Sequence, residues 1–371
     1  MRIASARFAF ALITGIVACA PAPTRADPCD SLARLNRLNT TITSARVIPA
    51  GTFRSPIRTR PSAEIFNGYD RLPAFCRLQA TIAPSSDSRI QVEVWLPITG
   101  WNGKYLGVGN GGYAGSIAYP RLGEALNTGY ASASTDTGHE GKSTDTGWAK
   151  GHPEKQTDFD YRAIHEMTLM AKAAIESFYG KAPTRSYFAS CSNGGRQGLM
   201  EAERYPADYD GVMSGAPAFR WGFETFLQGN LDAFAARGGK LVIYHGSKDA
   251  PDATIDYYDR LLSKMGRKSA DDFARLYIVP GMGHCGSGDV PNDFGQWLRP
   301  NSDPQHSMLI ALERWVETGS APTDIIATQW RIDGDTASGV VRTRPLCPYP
   351  QQTRFAGAGN RDSAASYSCR L

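Results

Sequence analysis

After residue 26 the sequence has no uninterrupted apolar run approaching the roughly 18 residues that a membrane-crossing helix needs, so no helical span is expected in the remainder of the chain. It has no marked excess of either charge: 40 Lys and Arg stand against 36 Asp and Glu, a formal net charge of +4. The basic residues are scattered and form no stripe that could track phosphates, which argues against a nucleic-acid partner. Repeats, low-complexity tracts and a Pro/Gly/Ser-rich linker are also missing, so residues 27–371 are expected to fold as a single domain. With 20% charged and 42% hydrophobic residues the balance excludes disorder, collagen and coiled coil. It suits a globular protein with a sizeable core.

What is present begins with a leader. Arg2 and Arg7 precede an apolar run from Phe8 to Ala20 and a Pro/Ala-rich stretch ending at Ala26. That is the layout of a secretory signal over residues 1–26, implying a secreted or periplasmic protein. Ile16-Val17-Ala18-Cys19 also fits a lipoprotein box, in which Cys19 would carry the lipid. Of the seven cysteines, setting Cys19 aside leaves Cys29, Cys76, Cys191, Cys285, Cys347 and Cys369. An even count in an exported protein suggests three disulfides, whose connectivity spacing alone does not fix.

Ile90, Val92, Val94 and Leu96 alternate as one face of a strand. Further apolar runs, Lys104 to Val108, Tyr130 to Ser134, Ser186 to Ala189, Lys240 to Tyr244 and Arg275 to Val279, end in Gly or Asp turn signals. Helical spacing runs from Tyr161 to Phe178, from about Gly195 to Tyr205, and through Met308, Leu312, Trp315 and Val316. Strands alternating with helices predict an α/β fold with a mostly parallel, doubly wound sheet. In such sheets chemistry sits in the loops after the carboxyl ends of the strands.

The segment Ser190-Cys191-Ser192-Asn193-Gly194-Gly195 joins a strand to a helix. A sharp turn of this kind needs small neighbours and pushes its apical side chain, here Ser192, outward. The nucleophile elbow it resembles has Gly two residues before the serine, where this chain has Ser190; a helix N-cap is the structural alternative. A serine nucleophile needs a histidine base and a carboxylate that fixes the base's tautomer. Asp249, after the strand ending at Tyr244, and His284, in the glycine-rich loop after Val279, follow in the order serine, acid, histidine. His245 is an alternative base that reads better as a turn residue. Asp252 and Asp256 are alternative acids, Asp256 falling on a helix. Cys191 precedes Ser192 and Cys285 follows His284, so pairing serine with histidine brings the cysteines toward the roughly 4.4–6.8 Å Cα spacing of a disulfide.

Gly107-Val108-Gly109-Asn110-Gly111-Gly112 fits a dinucleotide-binding fingerprint, with Asp136 further on. That motif should open directly into a helix, whereas Tyr113 to Pro120 reads as a loop broken by Gly115 and Pro120. The same glycines serve an esterase, in which this loop presents a backbone N–H to an oxyanion. No cofactor is therefore expected.

The chain resembles the tannase and feruloyl esterase family, whose signature is a Cys-Ser pair, an Asp and a His-Cys pair with the two cysteines bridged. Matching segments are Gly109 to Gly115, Ser134 to His139, Cys191 to Gly195, Ser214 to Ala218, Arg237 to Asp249, Val279 to Gly286 and Arg342 to Pro350. The resemblance implies an α/β-hydrolase fold, Ser192 as nucleophile, Asp249 as orienting acid, His284 as base, and further bridges Cys29–Cys76 and Cys347–Cys369. It implies a small-molecule partner, an ester of an aromatic acid of the feruloyl, galloyl or terephthaloyl kind. Asn193 with Gly111 or Gly112 would supply the oxyanion hole. Family members usually insert a lid domain, often with calcium, where this chain has only residues 219–237. The lid and its metal site are therefore expected to be absent, leaving Tyr113, Trp148, Trp221 and Phe223 to line an open acyl site. The alternative is an impaired lidless homologue that binds aromatic ligands or serves as a scaffold.

Overall fold

The computed structural model describes residues 27, 29–56, 68–298 and 303–371; the leader and Cys19 lie outside the described residues. Among the described residues one 9-stranded sheet comprises β1 (Thr40–Ile48), β2 (Phe75–Ile82), β3 (Ile90–Pro97), β4 (Lys104–Gly107), β5 (Ala131–Thr135), β6 (Arg185–Cys191), β7 (Gly211–Gly215), β8 (Lys240–Gly246) and β9 (Ala274–Val279). Their spatial order is β1-β2-β3-β5-β4-β6-β7-β8-β9. Pairings from β5 through β9 are parallel, while β3, β2 and β1 extend the sheet beyond β5 through successive antiparallel pairings.

The helices are α1 (Tyr119–Asn127), α2 (Pro153–Thr157), α3 (Ala163–Tyr179), α4 (Asn193–Arg204), α5 (Asp232–Ala236), α6 (Asp252–Met265), α7 (Arg267–Asp271) and α8 (Met308–Thr318). Strand side chains alternate between two cores. Ile90, Val92, Val94 and Leu96 of β3 and Leu241 and Ile243 of β8 join Met167, Met170 and Ile175 of α3, Leu199 of α4 and Leu261 of α6. Trp95, Val242 and Tyr244 point the other way, against Leu122 and Leu126 of α1 and Leu309, Leu312 and Trp315 of α8. Both faces are covered, which is why the central strands read as near-continuous apolar runs.

The chain leaves β4 and β6 toward opposite sides of the sheet, so the loops following these adjacent strands face one another at a switch point. A Cβ on Gly109 would come within 2.9 Å of Gly194 Cα, so the two loops approach closer than any side chain permits. Pro120 does not break this region as expected. It occupies the first turn of α1, where its missing N–H leaves no hydrogen bond unmade. At the other end, Asp158–Arg162 form a π turn ahead of α3, so the helix expected from Tyr161 begins two residues later.

Beyond the sheet, β10 (Ile325–Ile332) pairs with β11 (Asp335–Leu346), and β12 (Gln352–Phe355) with β13 (Tyr367–Arg370). Three disulfides join Cys29 to Cys76, Cys191 to Cys285 and Cys347 to Cys369, with Cα separations of 5.8, 5.9 and 5.4 Å. The first anchors the segment before β1 to β2, and the last ties β13 to the segment after β11.

Candidate active site

Ser192 sits between β6 and α4 with φ 64° and ψ −126°, a conformation that costs a non-glycine residue of order 1–3 kcal/mol unless its surroundings enforce it. They do so at both ends. The Ser192 N–H donates to the carbonyl of Gly215 at 2.9 Å, and the Ala218 N–H donates to the Ser192 carbonyl at 3.1 Å, pinning the turn to the end of β7. A Cβ on Gly194 would overlap Ser190 Oγ, so the small residues around the serine are a steric requirement of the turn.

The acid and base loops are laced together. Ser247 N–H donates to Val279 O at 2.9 Å, Lys248 N–H to Met282 O at 3.0 Å, and Gly281 N–H to Ser247 Oγ at 2.8 Å. A Cβ on Gly246 would overlap the carbonyls of Met282 and Gly283. Within this frame His284 Nδ1 lies 2.6 Å from Asp249 Oδ2. The His284 side chain is 51% exposed and Asp249 23%, so the pair opens to solvent. The Cys191–Cys285 bridge fastens the residue before Ser192 to the residue after His284.

The alternatives separate clearly. Asp252 and Asp256 are exposed on α6. His245 is not a turn residue: β8 continues two residues past Tyr244, and His245 is buried, with Nδ1 2.7 Å from Thr254 Oγ1 and Nε2 3.1 Å from Asp249 Oδ2.

Asn193 is the first residue of α4, where backbone N–H groups have no acceptor within the helix. Across from it, the loop after β4 is held by Asn110. Asn110 N–H donates to Gln197 Oε1 at 3.2 Å, its Nδ2 to Thr135 O at 2.7 Å, and Gln197 Nε2 donates back to Asn110 Oδ1 at 2.8 Å. Gly111 is exposed with open space beside it, whereas Gly112, at φ +57°, packs on the Ser143 carbonyl. Asp136, the acid of the dinucleotide reading, accepts from the backbone N–H groups of Gln91 and Gly138 at 2.9 and 2.8 Å and is thereby engaged within the fold.

Tyr113, Trp148, Trp221 and Phe223 come together in one aromatic cluster. Tyr113 stacks on Trp221 with centroids 4.6 Å apart and lies 6.0 Å from Phe223, which meets Trp148 edge-on at 5.2 Å. Phe159 and His139 complete it, His139 stacking on Trp148 at 3.7 Å. Trp221 remains 38% exposed. Trp221 N–H donates to Ala218 O, and Ala218 is bonded to Ser192, so the cluster is joined to the nucleophile turn through three residues.

Two residues that sequence reasoning missed hold this wall. The Asp160 carboxylate accepts from the N–H groups of Phe223, Glu224 and Thr225 at 2.9, 2.8 and 2.9 Å. Arg196, fully buried, donates to Asn193 Oδ1 at 2.7 Å and to the carbonyls of Asp160 and Phe159 at 2.9 and 3.0 Å, joining the turn after Ser192 to the aromatic wall. Burial lowers the Arg196 pKa to about 10. The available signal was a polar pair, the charged Arg196 and the amide of Gln197, in the first turn after the nucleophile, a position with little access to solvent.

Glu201, Asp208 and His165 place ligand-type atoms within 4.8 Å of one another, a grouping that spans α3, α4 and the turn after it and so leaves no local spacing to read. His165 Nδ1 is 2.7 Å from Asp208 Oδ2, and burial, then the charge of Asp208, pushes the Glu201 carboxyl well above its usual range. Burial thus favours the neutral form of Glu201 beside the His165–Asp208 pair.

The family of tannase and feruloyl esterase matches residues 76–231 and 227–370. The two pieces meet inside the 219–237 segment. An uncharacterized esterase from Xanthomonas campestris is 28% identical, covering 92% of this chain and 91% of that protein; a probable feruloyl esterase B-1 from Aspergillus oryzae is 24% identical over 92% of both. The first alignment runs over 531 positions against 371 residues here, so that relative carries long segments without a counterpart. Crystal structures of an esterase and of feruloyl esterase B, both from Aspergillus oryzae, superpose with TM-scores of 0.82 and 0.79 at 21% and 22% identity, each covering 92% of this chain and 99% of the other. With nearly all of the sheet inside the matched region, the chain belongs to the tannase and feruloyl esterase family and is a carboxylic ester hydrolase of α/β-hydrolase fold.

Proposed function

We propose that this protein is an exported serine esterase acting on aromatic-acid esters of the feruloyl, galloyl or terephthaloyl kind, or on small aryl esters, through Ser192, His284 and Asp249. Ser192 Oγ attacks the ester carbonyl as its proton passes to His284 Nε2. Asp249, on Nδ1, holds the ring in the tautomer that leaves Nε2 free to accept and stabilises the imidazolium. The N–H of Asn193, with that of Gly111 or Gly112, receives the oxyanion. His284 then returns the proton to the departing alcohol, and water repeats the sequence on the acyl-enzyme. The observation that carries this reading is the 2.6 Å contact of Asp249 Oδ2 with His284 Nδ1 in a base loop bridged to the strained turn at Ser192.

Residues 219–237 stand in place of the lid, which leaves a shallow acyl site walled by Tyr113, Trp148, Trp221 and Phe223. Affinity for an aromatic ring follows the apolar area removed from water, so an open wall gives weak binding and broad tolerance. Residues 1–26 act as the export signal and 27–371 as one catalytic domain; the three disulfides suit an oxidising compartment. A ligand-binding scaffold would have no use for a strained serine whose turn is bridged to a loop carrying a hydrogen-bonded His–Asp pair. Labelling with a fluorophosphonate, followed by peptide mass mapping, tests the nucleophile: the adduct falls on the Ser192 peptide, and labelling elsewhere or none refutes it. Methyl ferulate, methyl gallate and p-nitrophenyl acetate turnover then ranks the substrates.

A further inference from the structure

We propose that His245 is a positioning residue for ester hydrolysis, fixing the Asp249 carboxylate that orients His284. The inference rests on the Ser192–His284–Asp249 reading and extends it by one residue. His245 is carried to the carboxyl end of β8 and is buried there, with 8% of its side chain exposed. Its Nε2 lies 3.1 Å from Asp249 Oδ2 and 3.1 Å from the Asp249 carbonyl. Both of those atoms only accept, so Nε2 must carry the hydrogen. In the neutral ring Nδ1 is then an acceptor, and the fully buried Thr254 hydroxyl, 2.7 Å away on α6, donates to it. Burial, the largest influence on His245, favours this neutral form; the Asp249 carboxylate opposes it and the nearby His284 reinforces it.

The result is a directed chain in which Thr254 donates to His245 and His245 donates to Asp249. The oxygen His245 meets is the one that also receives His284 Nδ1–H. The single His245 Nε2–H is shared between that oxygen and the Asp249 carbonyl, so one ring holds both the carboxylate and the backbone of Asp249 and limits its rotation in a partly exposed loop. Ala250, the next residue, has φ +49°, so the Asp249 backbone also lies in a tightly turned segment. His284 is half exposed and has little packing of its own, so its ring direction depends on Asp249 being fixed.

The test uses the full chain with its bridges intact and four variants: His245→Leu, His245→Gln, Thr254→Val and Ser192→Ala. With p-nitrophenyl acetate, His245→Leu lowers kcat by about 10- to 100-fold while KM stays within about twofold, the effect of losing one charge-assisted hydrogen bond. The acid limb of its kcat/KM profile moves to higher pH, because the carboxylate charge that His245 shared now falls wholly on His284. His245→Gln, whose amide N–H reaches the same oxygen, recovers most of the rate. Thr254→Val gives a smaller loss in the same direction and decides the matter if His245→Leu does not fold. A folded His245→Leu with wild-type kcat overturns the inference. So does a kcat loss with an unmoved pH profile and no rescue by Gln, or wild-type kcat in Thr254→Val when the leucine variant is unfolded. Ser192→Ala separates the two levels: activity retained there refutes the triad itself, whereas an inactive Ser192→Ala beside an unaffected His245→Leu refutes only the positioning role.

Discussion

Cys191 and Cys285 stand 5.9 Å apart at Cα, one directly before Ser192 and the other directly after His284, so a single covalent bond spans the nucleophile and base loops. Nothing else among the described residues ties these two loops so directly. Peptide mapping without reductant should recover the fragments holding Ser192 and His284 as one linked species. Cys285→Ser should lower kcat about tenfold or more by loosening the base loop, since misplacement on the order of 1 Å carries costs of that size and above. An unchanged kcat in Cys285→Ser would remove the bridge's positioning role.

Burial raises the Asp136 carboxyl from 3.8 to about 7, against two backbone hydrogen bonds that favour its charged form. A carboxyl whose folded pKa lies above its unfolded one holds its proton more tightly when folded. Its contribution is full below about pH 4 and is lost as pH rises to about 7. His139, lowered to about 4 by burial, acts in the opposite sense: stability falls as pH drops below 6.5. The difference between wild type and Asp136→Asn isolates the first effect. The melting temperature of Asp136→Asn relative to wild type should climb between pH 4 and 7, by an amount reflecting on the order of a few kcal/mol. A difference that is flat across that range would contradict it.

The alternation in β3, the run of β8 and the order of Ser192, Asp249 and His284 were legible because each is written in local periodicity or chain order. β7 was not: Gly211–Gly215 is five residues long, begins and ends in glycine, and is buried throughout, so it has no alternation to read. β10 and β11 escaped for the opposite reason. They form a ribbon outside the main sheet, with Ile332 61% and Val340 51% exposed, and so lack the polar-out pattern of a half-buried strand. His245 was read as a turn because Tyr244 looked like the last apolar strand residue, although the ladder with β9 continues to Gly246. Arg196 and Asp160 were missed since, Asn193 apart, the partners that give them their place lie 36 and more residues away.

Chelation should change neither stability nor turnover. The His165–Glu201–Asp208 grouping is the one set of three candidate ligands among the described residues; His165 is paired with Asp208, and burial favours the neutral form of Glu201, a poorer ligand for a cation. Melting curves with and without EDTA should coincide. A fall in EDTA that reverses on adding a divalent cation would show that this cluster, or residues outside the described ones, holds an ion.

The aromatic wall should act on binding more than on chemistry. Trp221→Ala, which removes the partner stacked on Tyr113 at 4.6 Å, should raise KM for methyl ferulate by roughly 3- to 10-fold, the worth of one aromatic pair. It should leave p-nitrophenyl acetate nearly unchanged. Wild type itself should show a high KM for methyl ferulate and broad tolerance of small aryl esters. Tight, selective hydrolysis of one bulky aromatic ester would instead require a lid supplied by another chain or by a further loop of this one.

The central claim, that Ser192 is the nucleophile of an esterase, is tested most directly by kcat/KM of Ser192→Ala on p-nitrophenyl acetate. Substituting the nucleophile of a serine triad costs on the order of 10⁴-fold or more, and that loss is the predicted result, with the melting temperature preserved. A folded Ser192→Ala that keeps most of the wild-type kcat/KM would contradict the account.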